Sequence, residues 1–317
     1  MINLAHSPTD KITFRGRDYF LKRDDLLAPA FSGNKARKFY YLLDGEFPGI
    51  KKIIGHGSPQ ANSLYTLSEL AKLKNWQFDF YVDHVPSFLN KHPAGNYRAA
   101  LANGANIIAL KTGPLKREKY CGGVGEYIQQ VILPEERESI FVPEGGRVAW
   151  AELGVKRLAE EILLWSQKNK IRSLKIALPS GTGTTAVFLQ KHLPFEVLTC
   201  ACVGGEEYLK KQFMELSTDQ STYPTILSAR KKYHFGKLYD EYFTLWKALK
   251  TEVGVEFDLL YDPLGWLTLL DHVARSKSDE WEILYIHQGG LLGNETMLPR
   301  YLRVSKQSRV IQPRFLT

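Results

Sequence analysis

The chain has 317 residues, and 42 Lys and Arg against 34 Asp and Glu give a net charge of +8. A hydrophobic share of 44% and a charged share of 24% are those of a globular protein, long enough for one large domain or two moderate ones. No apolar run reaches membrane-spanning length, residues 1–10 carry no basic-then-apolar leader, and the scattered basic residues come with no nucleic-acid motif. The expectation is a soluble cytoplasmic protein with neither membrane nor nucleic-acid partners.

Short strands are expected at residues 12–14 and 19–22. A charged turn follows, Lys22-Arg23-Asp24-Asp25, and then Ser32-Gly33-Asn34 leads into a helix from about 34 to 43 with Phe39, Leu42 and Leu43 on its apolar side. Ser32 or Asn34 can cap that helix. Lys35 then falls in its first turn, near the positive end of the helix dipole, where a cation is disfavoured. A lysine with a lowered pKa is an amine nucleophile that forms a Schiff base with an aldehyde. Taken alone, Lys35, Arg37 and Lys38 read first as a solvated basic face.

From residue 51 onward, strands alternate with helices: strand 51–54, helix 61–74, strand 78–82, helix 95–103, strand 105–110 and a helical piece at 125–131. A second series has a long helix at 149–169 with Leu153, Leu158, Ile162 and Trp165 apolar. It continues with strand 174–178, helix 184–192, strand 196–203, helices 208–212 and 239–251, strand 257–260, helix 264–275 and strand 283–287. Such alternation predicts βαβ units and mainly parallel sheets. Residues 213–238 read as a long, partly irregular connection. The stretch 303–317 is basic and matches no element. The three cysteines, Cys121, Cys200 and Cys202, have no framework spacing, which points to a reducing compartment. Cys200 and Cys202 share one face of a strand, as buried packing rather than a metal site, and no metal is expected.

Pro179-Ser180-Gly181-Thr182-Gly183-Thr184-Thr185 joins a strand to a helix. Glycines permit close backbone approach, and free N–H groups with hydroxyls at a helix start suit a phosphate. No Gly-Lys-Ser/Thr follows, so this is not a P-loop.

Several of these stretches together resemble one family. Lys22-Arg23-Asp24-Asp25 with Gly33-Asn34-Lys35-Ala36-Arg37-Lys38 is similar to the K-R-D/E-D and G-G-N-K-x-R-K block of the pyridoxal-phosphate (PLP) family that includes 1-aminocyclopropane-1-carboxylate (ACC) deaminase and D-cysteine desulfhydrase. Gly57-Ser58-Pro59-Gln60-Ala61-Asn62 resembles its G-G-x-Q-S-N. Asp258 to Leu264 resembles D-P-V-Y-E/T-G-K, with Pro263 and Leu264 in place of G-K. Pro143-Glu144-Gly145-Gly146 with Leu153-Gly154, and Ile286-His287-Gln288-Gly289-Gly290, extend the likeness from about residue 21 to 290.

The resemblance implies a fold-type II PLP enzyme of two α/β domains, each a mainly parallel sheet flanked by helices. The larger would comprise 1–49 plus 146–317 and the smaller 50–145. It implies pyridoxal 5'-phosphate as cofactor, covalently held by Lys35. Gly181, Thr182, Gly183 and Thr184 would take the phosphate, Asn62 the 3-oxygen, Asp262 would face the pyridine nitrogen, and Tyr261 would serve proton transfer. The expected reaction is deamination of a small amino acid, first D-cysteine desulfhydration to a 2-oxo acid, sulfide and ammonia, second ACC ring opening, with a homodimer as the assembly. Ala61 stands where the family has a serine in contact with the substrate, which leaves a non-catalytic binding protein as the rival reading.

Overall fold

The computed structural model describes residues 6–28, 31, 33–111, 123–276 and 280–310. Ser32, Cys121 and the end of the basic C-terminal stretch, 311–317, lie outside the described residues.

The strands are β1 (Thr9–Phe14), β2 (Arg17–Arg23), β3 (Lys52–His56), β4 (Gln77–Val82), β5 (Asn106–Ala109), β6 (Ser139–Val142), β7 (Leu174–Ser180), β8 (Glu196–Ala201), β9 (Thr225–Ile226) and β10 (Glu282–His287). They form a six-stranded sheet in the order β1-β2-β10-β7-β8-β9 and a four-stranded sheet in the order β5-β4-β3-β6. Only the β1–β2 pair is antiparallel among the described strands; all other pairs are parallel. Parallel strands need helices on both faces, so their sequences are nearly all apolar, as in Glu282-Ile-Leu-Tyr-Ile-His287.

Strand alternation in β2 ties the large sheet to its two helical layers. Tyr19 and Leu21 face one core, where the Tyr19 ring lies 5.2 Å from Trp266. Phe20 and Lys22 face the other, against the helix Glu152–Lys168: Phe20 meets Trp165 at 4.7 Å, and Lys22 Nζ lies 2.6 Å from Glu161 Oε2.

The predicted helix 34–43 is two short helices, Gly33–Lys38 and Tyr40–Asp44, broken at Phe39. Ala36 and Phe39 are fully buried in the core under the four-stranded sheet. Arg37 points the other way, into the layer beneath the large sheet. Its Nη2 lies 2.8 Å from Asp24 Oδ1, and its Nη1 lies 2.6 Å from Glu161 Oε1. Ser7 Oγ donates to Asp24 at 2.6 Å, and Lys22 Nζ donates to the Ser7 carbonyl at 2.6 Å. Two cations and two carboxylates thus cancel in a buried cluster. Arg37 and Lys38 are therefore no solvated basic face; both are buried. Gly154 allows the approach, since a β-carbon there would sit 1.9 Å from the Arg37 carbonyl oxygen.

Other expectations need correction. Residues 257–260 form no strand. Side chains take over the ladder: Leu259 N–H donates to Asn294 Oδ1 at 2.9 Å, Leu260 N–H to Asp258 Oδ1 at 2.6 Å, and Asn294 Nδ2 to the Phe257 carbonyl at 2.9 Å. Leu153 is exposed, off the buried face of its helix. The connection 213–238 contains the end of the helix Glu206–Leu216 and the short edge strand β9. The helix Asn294–Val310, with Pro299 inside it, occupies much of the tail that matched no element. Cys200 and Cys202 are both buried, their Sγ atoms 3.8 Å apart. No helix among the described residues is long and apolar enough to cross a membrane.

Removing one member of a buried charge cluster strands its partners without compensation. Arg37→Met should lower the unfolding free energy by about 3–5 kcal/mol in urea denaturation. A loss below about 1 kcal/mol, the value of an exposed pair, would show that the cluster does not hold the layers together.

Candidate active site

The helix Gly33–Lys38 starts where β10 and β7 end, the edge at which parallel sheets bind ligands. Gly33 has φ +68°, and a β-carbon there would lie 2.0 Å from the Gln288 carbonyl oxygen, so only glycine permits this contact. Asn34 N–H donates to that carbonyl at 3.1 Å, and Asn34 Nδ2 donates to Gln288 Oε1 at 3.0 Å. Gln288 Nε2 in turn donates to the Pro179 carbonyl at 2.6 Å. Asn34 therefore does not cap the helix; it pins the helix to both strand ends.

Lys35 emerges from this anchor into a cavity of about 170 Å³, which Asn34, Asn62, Tyr65, Asn96 and Gln288 also line. Burial lowers the Lys35 pKa to about 8, with Glu144 acting in the opposite direction. Asn62 opens the helix Asn62–Lys74 behind Ala61, which offers no capping side chain. Asn96 Nδ2 donates to Asn62 Oδ1 at 2.8 Å and to the Gln60 carbonyl at 2.9 Å, which fixes the Asn62 amide.

Lys38 lies one turn beyond Lys35 on the same helix face. Its Nζ donates to the Gly145 carbonyl at 3.0 Å and lies 3.4 Å from Thr182 Oγ1. Burial, then the charges of Lys35 and Arg147, press its pKa well below the usual lysine range. Thr182 Oγ1 and Thr184 Oγ1 are 3.0 Å apart at the start of the helix Thr184–His192, and Thr185 Oγ1 is buried without a partner among the described residues. A buried amine that an anion would hold protonated, clustered hydroxyls and a helix N-terminus together suit an anion.

No family model matches the chain. It is 26% identical over 311 residues to the D-cysteine desulfhydrase of Serratia proteamaculans (strain 568), covering 90% of this chain and 91% of that protein. It is 25% identical over 292 residues to a provisionally named 1-aminocyclopropane-1-carboxylate deaminase of Pyrococcus horikoshii, covering 88% and 86%. Among solved structures it is similar to an ACC deaminase homologue with a TM-score of 0.74 at 22% identity, covering 96% of this chain and 95% of that one. Over most of its length the chain is similar to enzymes of the ACC deaminase and D-cysteine desulfhydrase family, in agreement with the resemblance read from its motifs. Its two sheets are the fold-type II arrangement expected from the sequence.

Within that family frame, the expected residues fall into three places. Lys35 and Asn62 share the cavity. Gly181, Thr182, Gly183 and Thr184 form the turn that Lys38 links to Lys35. Tyr261 borders that turn: a β-carbon at Gly181 would meet its Cε1 at 3.3 Å. Burial first, then Cys202, Asp258 and Glu144, raise the Tyr261 pKa, so its hydroxyl keeps its proton at neutral pH. Asp262 is not brought to the cavity. Its Oδ1 accepts from Tyr285 at 2.7 Å, its Oδ2 accepts from Asp258 N–H at 3.2 Å, and burial followed by Asp258 pushes its pKa well up. Asp258 holds the turn that leads into the helix Asp262–Arg275: its Oδ1 takes the N–H groups of Leu260 and Tyr261, and its Oδ2 takes that of Asp262. Lys38, Asn96 and Gln288 escaped the sequence reading as site residues. For Lys38 the i,i+3 spacing from Lys35 was the available signal.

Only the neutral amine attacks an aldehyde, so Lys35 should react faster as pH rises through about 8, below the 10.5 of an ordinary lysine. Reductive methylation followed by peptide mass spectrometry should show that midpoint at Lys35. A midpoint near 10.5 would mean that the side chain is solvated.

Proposed function

We propose that the cleft holds pyridoxal 5'-phosphate on Lys35 and deaminates a small amino acid, with D-cysteine desulfhydration to a 2-oxo acid, sulfide and ammonia as the first reading. The observation that carries it is an amine of lowered pKa beside a cavity, with a buried anion cradle one helical turn away. The residues present fit that cofactor. Lys38, Thr182, Thr184 and the unpartnered Thr185 hydroxyl suit its phosphate, and the bare Gly181 leaves room beside Tyr261. Asn62, held by Asn96, offers an amide for the ring oxygen.

Bound there, the cofactor supplies an electron sink for negative charge developing next to the substrate amine. Lys35, with its lowered pKa and its place in the cavity, would be the base that takes the α-proton. Tyr261, kept protonated, is a donor for the departing group or the product carbon. The relatives named above support both D-cysteine desulfhydration and ACC ring opening as chemistry for this site. ACC has no α-hydrogen, so its ring opening leans on a further placed group. Ala61 supplies a methyl at the very position where the resembling enzymes have a hydroxyl, which favours the desulfhydrase reading.

Purified protein given pyridoxal 5'-phosphate should turn yellow, and borohydride should fix the cofactor on the peptide containing Lys35. Colourless protein, or label on another lysine, would sink the proposal. Lys38→Met should weaken cofactor binding at least several-fold, because a charge-assisted hydrogen bond contributes about 1.5–3 kcal/mol. Ala61→Ser should raise turnover of D-cysteine by roughly 10-fold, about 1.4 kcal/mol, and leave cofactor affinity unchanged. If Ala61→Ser does nothing while the parent protein turns over another amino acid well, the substrate assignment fails and the cofactor assignment stands.

A further inference from the structure

Glu144 lies between the two turns that build the site. On one side is the turn into the helix Asn62–Lys74: a β-carbon at Gly57 would be 3.7 Å from Glu144 Cγ and 3.7 Å from its Oε1. On the other is the Thr182 turn, reached through the next residue, Gly145. A β-carbon at Gly145 would lie 2.7 Å from Thr182 Cγ2, and the Gly145 carbonyl accepts from Lys38. The backbone of Glu144 is fixed as well, since its N–H donates to His56 Nε2 at 3.2 Å. Burial, with Arg147 adding to it, lowers the His56 pKa to about 4, so the ring stays a neutral acceptor. The Glu144 side chain itself is exposed, and among the described residues no cation is ion-paired with it. Its charge reaches both Lys35 and Tyr261 and raises the pKa of each.

A carboxylate held by its backbone between the two turns of the site, with no ion-paired cation among the described residues, acts on whatever enters. It attracts a cationic substituent and repels an anionic one. Ala61 works in the same direction, because a methyl offers no donor to an incoming anion. We propose that Glu144 is a specificity-determining residue that selects amino acids by side-chain charge, admitting cationic and neutral side chains and rejecting anionic ones. This rests on the reading that the cleft binds amino acids on Lys35-held pyridoxal 5'-phosphate.

The test uses the cofactor-loaded protein and reads the visible band rather than turnover. Both enantiomers of 2,3-diaminopropionate, serine and aspartate, alike in size and different in side-chain charge, are titrated at neutral pH. The parent protein should half-saturate at the lowest concentration with diaminopropionate and the highest with aspartate. Glu144→Gln keeps the shape and removes the charge; it should narrow that ratio by about tenfold, the equivalent of roughly 1.4 kcal/mol. Glu144→Asp should keep the discrimination, which a merely structural role would not predict. Equal ratios in the parent protein and in E144Q overturn the assignment alone. No visible band in the parent protein overturns the reading beneath it, and the assignment with it.

Discussion

The guanidinium of Arg37, clamped between Asp24 and Glu161, fixes the position of everything at the site. It joins the end of β2, the helix Gly33–Lys38 and the helix Glu152–Lys168 in one buried cluster, with Lys22 balancing the second carboxylate. Burying four charges costs free energy unless geometry and hydrogen bonding are complete. Here each oxygen of Asp24 and Glu161 has a donor within 3.0 Å. The cluster leaves the short helix little freedom to rotate, and rotation of that helix would carry Lys35 out of the cavity.

One helical turn sorts three cations into three environments. Lys35 and Lys38 are three residues apart and share a face; Arg37 is about 200° from Lys35 at 3.6 residues per turn. Arg37 meets two carboxylates and keeps its charge. Lys35 meets a cavity and is held near the point of losing its proton. Lys38 meets a carbonyl and the Thr182 hydroxyl, and among the described residues no carboxylate is in contact with it, so its amine is open to an anion. In the function proposed above, the same residue type at 35 and 38 would serve as nucleophile and as phosphate partner, through surroundings alone.

The second support of the site is a stretch without regular structure. Residues 257–260 carry Tyr261 to the edge of the Gly181 turn, and their backbone groups bond to Asp258 and Asn294 side chains in place of a neighbouring strand. Side-chain caps of this kind are rigid while allowing a bend that a ladder would forbid. They also explain why Asp262 is turned inward: with Asp258 taking N–H groups of the helix start, the Asp262 carboxyl is left to Tyr285.

By itself the sequence determined the alternation of strands and helices, the fold class and the segments that carry Lys35, Asn62, Tyr261 and the Gly181 turn. Hydrophobic periodicity and glycine placement are local signals, so the alternation and the Gly181 turn were legible without a partner in view, while Asn62 and Tyr261 stood out by the resemblance to a known family's motifs. What it could not determine were properties set by partners far along the chain. The basic run Lys35 to Lys38 looks the same solvated or buried; only Glu161, more than a hundred residues away, makes Arg37 internal. A strand at 257–260 was the natural reading of its apolar residues, and only Asn294 and Asp258 overrule it. Asn34 had the look of a cap until Gln288 claimed it. The tertiary structure also decided that Lys38 and Thr182 meet and that Glu144 lies beside the Gly57 turn, because both are contacts between segments far apart in the chain.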